Sequence, residues 1–283
     1  MPNLSPSCPP CPTPNSNNDD KSLNELPKAR FWEAMDICQW EGFWFEPGLV
    51  KSAITFRSSF EARDDDILLT STMKTGTTWL KALSLCIMQN KTHQRHDDIL
   101  TTENPHFHVP TIESIIYSTK APQVDLYDTS APRLPHTSAI RRSPRFCQEL
   151  CESQKRPQKI LFLKYEELKS DPKGQISKIA EFLGRPFADE KEVDEILWRC
   201  SLERLKNLEV NKNGFVIFPV PNNSYFRKGE VGDWKNYLTT EMEEQINQTS
   251  RIKLEPFASY CLFLFKSLRC NINCFLECGL KVE

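Results

Sequence analysis

Asp66-Ile67-Leu68-Leu69-Thr70-Ser71-Thr72-Met73-Lys74-Thr75-Gly76-Thr77-Thr78-Trp79-Leu80-Lys81-Ala82-Leu83-Ser84-Leu85-Cys86-Ile87-Met88 is the stretch whose reading decides the fold class. Its opening apolar run suits a buried parallel strand, a short polar turn follows, and Thr77 to Met88 then reads as a helix. A parallel strand feeding a helix through such a loop presents free backbone N–H groups to a ligand, which is how phosphate-like anions are held. Gly76 lets the backbone curl around an oxyanion, the Thr hydroxyls add donors, and Lys74 adds a point charge. Lys74 precedes the only Gly of the loop, whereas a Walker A loop places its Lys after the second, so a P-loop kinase or nucleotide triphosphatase loses support. An ordinary helix cap would need one such hydroxyl and no adjacent Lys.

Further along, Lys159-Ile160-Leu161-Phe162-Leu163-Lys164-Tyr165 reads as a second strand, followed by a helix from Gly174 to Leu183 that Gly184 and Pro186 close. Two strand-to-helix units argue for an α/β fold with a parallel sheet flanked by helices. Glu190 to Cys200 and Thr240 to Ile252 read as additional helices, and no internal repeat is present. The aromatic-rich stretch from Phe31 to Phe60 reads as a wall of a core or pocket. Near the C-terminal side, Arg227-Lys228-Gly229-Glu230-Val231-Gly232-Asp233 pairs two cations with two glycines, a pattern suited to a phosphate clamp or to a solvated surface loop.

Composition bounds the rest. The chain has 283 residues with 36 Lys plus Arg against 38 Asp plus Glu, so net charge draws it neither to nucleic acid nor to an anionic membrane, and any anion site must be built locally. That length suits one large domain. Met1 to Leu26 is polar, Pro-rich and without a targeting pattern, which leads to an expected disordered leader over 1–30, a single domain over 31–252 and an atypical tail over 253–283. Ala258 to Leu268 is too short an apolar run to cross a bilayer, for which ~20 residues are needed. The 11 cysteines, odd in number and irregularly spaced, fit a reduced, cytoplasmic chain. Cys8 with Cys11, and the Cys270, Cys274 and Cys278 series, lack the partners of a metal set, so no metal is expected.

Three stretches resemble the motifs of cytosolic sulfotransferases, in the wording of the plant branch: Lys74 to Lys81, Leu161 to Leu168 and Arg227 to Lys235. The resemblance runs from about Gln39 to His136 and from about Pro157 to Gln248. It implies a P-loop-like α/β sulfotransferase fold that takes 3′-phosphoadenosine 5′-phosphosulfate as co-substrate and transfers its sulfuryl group to a small-molecule hydroxyl or amine. By the same resemblance Lys74, Thr75, Gly76, Thr77 and Thr78 cradle the 5′-phosphosulfate, Trp79 and Tyr165 line the adenine, and Arg227, Lys228 and Gly229 hold the 3′-phosphate. The family uses a His as base and this Lys as the cation for the leaving group; His136, in Pro132-Arg133-Leu134-Pro135-His136, is the nearest counterpart of that base.

The chain also departs from the pattern. Between His136 and Ile160 the family has a buried strand, an Arg-Asn-Pro-Lys-Asp stretch and a helix carrying a Ser, with that Arg and Ser on the 3′-phosphate. Residues 137–159 carry none of this, so one strand-helix unit is expected to be missing. Met73 stands where the family has Pro, and Leu202 where an aromatic follows Cys200-Ser201. Lys235, Thr239 and Glu244 match the family's dimer-contact pattern except at Thr240, which leaves a homodimer or a heterodimer with a relative open. The expectation is a sulfotransferase of impaired activity, with a silent nucleotide-binding or dimerising paralogue as the alternative and the acceptor unspecified.

Overall fold

The computed structural model describes residues 25–31, 35–40, 43–59, 66–71, 75–89, 98–112, 114, 134–137, 158–217 and 220–254. The aromatic-rich region forms an antiparallel meander of β1 (Lys28–Phe31), β2 (Met35–Trp40) and β3 (Phe43–Phe45), followed by α1 (Pro47–Ser59). Alternation along β2 buries Cys38 and Trp40, and these pack with Val50 and Ala53 of α1 in a small core of their own. Trp40 meets Phe45 edge-on with ring centroids 6.2 Å apart, as expected of an aromatic wall, although Trp44 is exposed. Strand β1 begins inside the 1–30 stretch read as a leader.

β4 (Leu69–Thr70) and β5 (His136–Thr137) pair in parallel, Leu69 opposite His136, and Thr111 bridges to the far side of His136. His136 therefore sits inside this small sheet. The expected strand-loop-helix is present: after the loop, α2 (Thr77–Gln89) buries Ala82, Leu83, Cys86 and Ile87 on one face. That face meets Leu100 of α3 (Ile99–Thr102), Ile176, Ile179 and Ala180 of α6 (Pro172–Phe182), and Ile196 of α7 (Glu190–Arg199). The two fully buried thiols of Cys86 and Cys200 meet in the same core, where burial pushes the Cys200 thiol up.

Local signals explain the helix bounds. Asp171 caps α6 by accepting from Gly174 N at 3.0 Å, with Pro172 at the first helical position, and Gly184 ends it with φ 67°. Asp189 caps α7 by accepting from Lys191 N and Glu192 N, while the Glu192 carboxylate accepts from Ala188 N at 3.0 Å, one residue before the cap. Asp98 caps α3 and also binds Arg199 at 2.9 Å and Arg204, which ties the start of α3 to α7 and α8 (Leu202–Asn207).

One expectation is corrected. Ile160 to Lys164 forms no strand ladder among the described residues; Lys164 is extended, with φ −105° and ψ 135°, and α5 (Tyr165–Ser170) starts directly after it. The apolar run was legible, but a strand exists only where a neighbour supplies its ladder hydrogen bonds. Helix α4 (Pro105–His108), helix α9 (Glu209–Lys212), strands β6 (Phe215–Ile217) and β7 (Val220–Pro221) and two short 3₁₀ turns lead to α10 (Thr240–Leu254). Most of 1–30, nearly all of 137–159 and 255–283 lie outside the described residues, as do the Cys8, Cys11, Cys270, Cys274 and Cys278 positions. No described helix is long and apolar enough to cross a membrane.

Candidate active site

Tyr165 is the hinge of the site. It stands at the start of α5, and its ring closes on two glycines from distant parts of the chain. A Cβ on Gly76 would lie 2.7 Å from Tyr165 Cδ2, and one on Gly229 would lie 3.6 Å from the Tyr165 hydroxyl and 2.6 Å from Leu202 Cδ2. Both glycines have positive φ, 92° and 65°, so these positions need glycine for conformation as well as space. Trp79 packs edge-on against Tyr165 with centroids 5.9 Å apart. The structure thus brings together Gly76, Trp79, Tyr165, Leu202 and Gly229.

Beside them, Arg227 and Lys228 line a pocket of about 540 Å³ with Leu202, Lys206 and Asn207. Arg227 is exposed on its wall. The Lys228 ammonium is already engaged: Asp233 accepts from it at 2.8 Å and the Tyr237 hydroxyl lies at 3.0 Å, and these contacts raise its pKa. Asp233 is lowered in turn, first by Lys228 and then by Asn236. Lys228 therefore braces the loop, leaving Arg227 as the outward cation of the pair.

Beneath the N-terminus of α2 runs a buried polar chain. Thr77 Oγ1 lies 2.6 Å from Ser71 Oγ, which lies 2.8 Å from His136 Nε2. His136 Nδ1 is 3.2 Å from Thr111 Oγ1, and Thr111 accepts from Lys81 Nζ at 2.9 Å. Lys81 Nζ also lies 3.1 Å from His106 Nδ1, whose Nε2 is 2.8 Å from Thr78 Oγ1. The chain starts at one hydroxyl of the loop and returns to the next. Its middle is dry: Lys81 is 0% exposed, His136 3% and His106 6%, the last stacked on Tyr225 with centroids 4.2 Å apart.

Lys74 lies outside the described residues, and Thr75 joins Gly76 in the turn before α2. His136 is buried with both ring nitrogens engaged, and it reaches the loop through Ser71 and Thr77. Sequence reasoning missed Ser71, Lys81, Thr111 and His106 as parts of the site. Lys81 could have been found, since i, i+3 spacing places it beside Thr78 on α2, whereas His106 is grouped with it only by folding. Thr111 carries no sequence signal.

A parallel strand, a Gly-bearing loop, a helix N-terminus and a second glycine-cation loop meeting at one tyrosine are the elements from which α/β proteins build anion sites. The family description "Sulfotransferase domain" matches residues 64–151 and 145–258, and the chain belongs to the sulfotransferase family. It is 33% identical to Cytosolic sulfotransferase 5 of Arabidopsis thaliana over 84% of this chain and 95% of the relative, and 31% identical to Cytosolic sulfotransferase 6 of the same plant over 86% and 96%. A crystal structure of an Arabidopsis thaliana putative steroid sulphotransferase superposes with a TM-score of 0.60 at 23% identity, covering 88% of this chain and 97% of that one. Retinol dehydratase in complex with androsterone and the inactive cofactor PAP superposes with a TM-score of 0.58 at 15% identity, covering 82% and 91%. The α/β sulfotransferase fold, a plant cytosolic sulfotransferase type of sequence and sulfuryl transfer as the family's reaction follow from these matches.

Proposed function

We propose that this chain binds 3′-phosphoadenosine 5′-phosphosulfate and transfers its sulfuryl group to a hydroxyl of a small molecule, in the cytoplasm, within a single domain over about 31–252. The observation that carries this reading is the convergence of Gly76 and Gly229 on Tyr165, two cradles that any Cβ would fill. In this reading Lys74, Thr75, Gly76, Thr77 and Thr78 hold the phosphosulfate end, Thr77 through its backbone N–H because its hydroxyl proton faces Ser71, Trp79, Tyr165 and Leu202 border the base, and Arg227 with the Lys228-Gly229 backbone receives the 3′-phosphate. The bound co-substrate supplies the sulfuryl group. Lys74 compensates charge growing on the leaving side, as a cation aimed at a developing anion does.

His136 is the candidate base. With Nδ1 protonated and donating to Thr111, its Nε2 accepts from Ser71, and a proton reaching Thr77 passes through Ser71 to that nitrogen. The relatives favour an enzyme over a silent paralogue. Low turnover belongs to the same proposal. The alignment with Cytosolic sulfotransferase 5 has 308 positions, yet 84% of 283 residues is about 238, so roughly 70 positions of the relative face a gap. In this reading the shortfall includes a strand-helix unit near 137–159, whose Arg and Ser would otherwise help grip the 3′-phosphate.

The test is calorimetric titration with adenosine 3′,5′-bisphosphate, paired with transfer of labelled sulfate to a panel of phenolic and steroid hydroxyl acceptors. Saturable binding that Arg227→Ala weakens by ~1.5 to 3 kcal/mol is expected. Absence of binding by the folded wild type refutes the nucleotide assignment, and equal turnover after grafting the relative's missing segment refutes the account of low activity. Pairing of two copies through the Lys235 to Glu244 stretch belongs to the same reading, and light scattering with and without Thr240→Val tests it, since the valine should strengthen such a dimer.

A further inference from the structure

Lys81 is the most costly feature of the polar chain, since an ammonium removed from water is tolerated only where acceptors surround it. It sits on α2 three residues after Thr78, so both side chains lie on one helix face, and the ring of His106 from α4 fills the space between them. An ammonium has three donors and no acceptor. Its 3.1 Å contact with His106 Nδ1 therefore requires that nitrogen to be bare, and the neutral ring must carry its proton on Nε2. That Nε2–H points at Thr78 Oγ1, 2.8 Å away. Thr78 accepts there, so its own proton is directed away from His106 and can be offered to an anion at the helix N-terminus. The opposite tautomer would have Thr78 donate inward and turn lone pairs toward the loop, the wrong polarity for an anion.

We propose that Lys81 is a positioning residue: through the tautomer of His106 it orients the Thr78 hydroxyl as a donor to the anion held by the Gly76 loop. The stack of His106 on Tyr225 and the Asn104 Oδ1 acceptance from His106 N at 2.9 Å fix the ring's place, so the proton on Nε2 is the remaining variable. The second ammonium contact, to Thr111 Oγ1 at 2.9 Å, couples the same charge to the His136 side of the chain. The downstream half of this inference rests on the nucleotide reading above; the tautomer half does not.

The experiment uses the full chain, labelled with ¹⁵N, and reads the imidazole nitrogens near neutral pH, with His106→Gln identifying the His106 signals. A ring protonated on Nε2 in the wild type and in Lys81→Arg, but changed in Lys81→Met, supports the inference; a ring protonated on Nδ1 in the wild type, or unchanged in Lys81→Met, overturns it. Adenosine 3′,5′-bisphosphate affinity is then measured across the variants. Lys81→Met and Thr78→Val should each weaken binding about tenfold or more, and the double variant little further, because both remove one donor. Full affinity in a folded Lys81→Met overturns the link to Thr78. Should Lys81→Met not fold, His106→Gln against His106→Leu decides, since only Gln presents an N–H to Thr78; equal affinity of those two overturns the inference. Failure of the wild type to bind the bisphosphate refutes the nucleotide reading instead, while the ring signals still decide the role of Lys81.

Discussion

Substituting Gly76 by Ala strikes the site at its tightest point. The backbone there has φ 92°, outside the region an L side chain adopts freely, at a cost of ~1 to 3 kcal/mol. The new Cβ would also lie 2.7 Å from Tyr165 Cδ2 and 3.2 Å from Cε2, so the ring must move. Tyr165 cannot yield as a flexible chain end does, because Trp79 braces it edge-on at 5.9 Å, and giving up that contact costs a further ~0.5 to 1.5 kcal/mol. Together they cost about 1.5 to 4.5 kcal/mol. Gly184→Ala is the natural control: φ is 67° there but nothing lies within 4 Å of its added Cβ, so only the conformational cost of ~1 to 2 kcal/mol applies. Urea unfolding of both variants separates the two contributions, and titration with adenosine 3′,5′-bisphosphate reports on the loop. Gly76→Ala should be the more destabilised and should lose at least about tenfold in affinity. Equal destabilisation of the two, with unchanged binding, would refute the packing of Tyr165 against the anion loop.

Asp98→Ala removes a helix cap and the half-buried carboxylate that pairs with two guanidinium groups, so unfolding free energy should fall by ~2 to 4 kcal/mol; a loss under about 0.5 kcal/mol would show the cluster to be decorative. Burial alone would raise the Asp98 carboxyl, but the Arg199 hydrogen bond and the charges of Arg199 and Arg204 hold it below its usual range. A carboxyl lowered on folding stabilises above its unfolded value and loses this as pH falls through the folded one, so wild type and Asp98→Asn should differ near neutrality, begin to converge only as pH falls past about 3.9, and meet below the lowered folded value. Burial also lowers the pKa of His108, with Glu103 opposing, so its contribution is present above about pH 6.5 and declines as the solution is acidified; unfolding of His108→Gln should lack that limb. Cys86 and Cys200, both 0% exposed, should be alkylated only as the chain unfolds, and mass mapping that finds either modified in the native state would contradict the shared core.

Sequence alone determined the elements whose signals are local. The run from Ile67 to Thr70, the hydroxyl loop with one glycine, and the apolar face of Thr77 to Met88 announce strand, loop and helix because period and capping are properties of neighbouring residues. The same holds for α6, α7 and α10, whose observed spans differ from the expected ones by a few residues. The three-stranded meander was hidden, since its aromatics read as a wall without showing which strands pair, and Ile160 to Lys164 read as a strand although pairing is a non-local property. Only the tertiary structure decided that Tyr165 meets both Gly76 and Gly229, that Lys228 turns to Asp233, and that His136, Thr111, Lys81 and His106 join Thr77 to Thr78. Those residues come from separate segments, and a hydrogen bond needs its partners within about 3 Å, a condition that chain order does not encode.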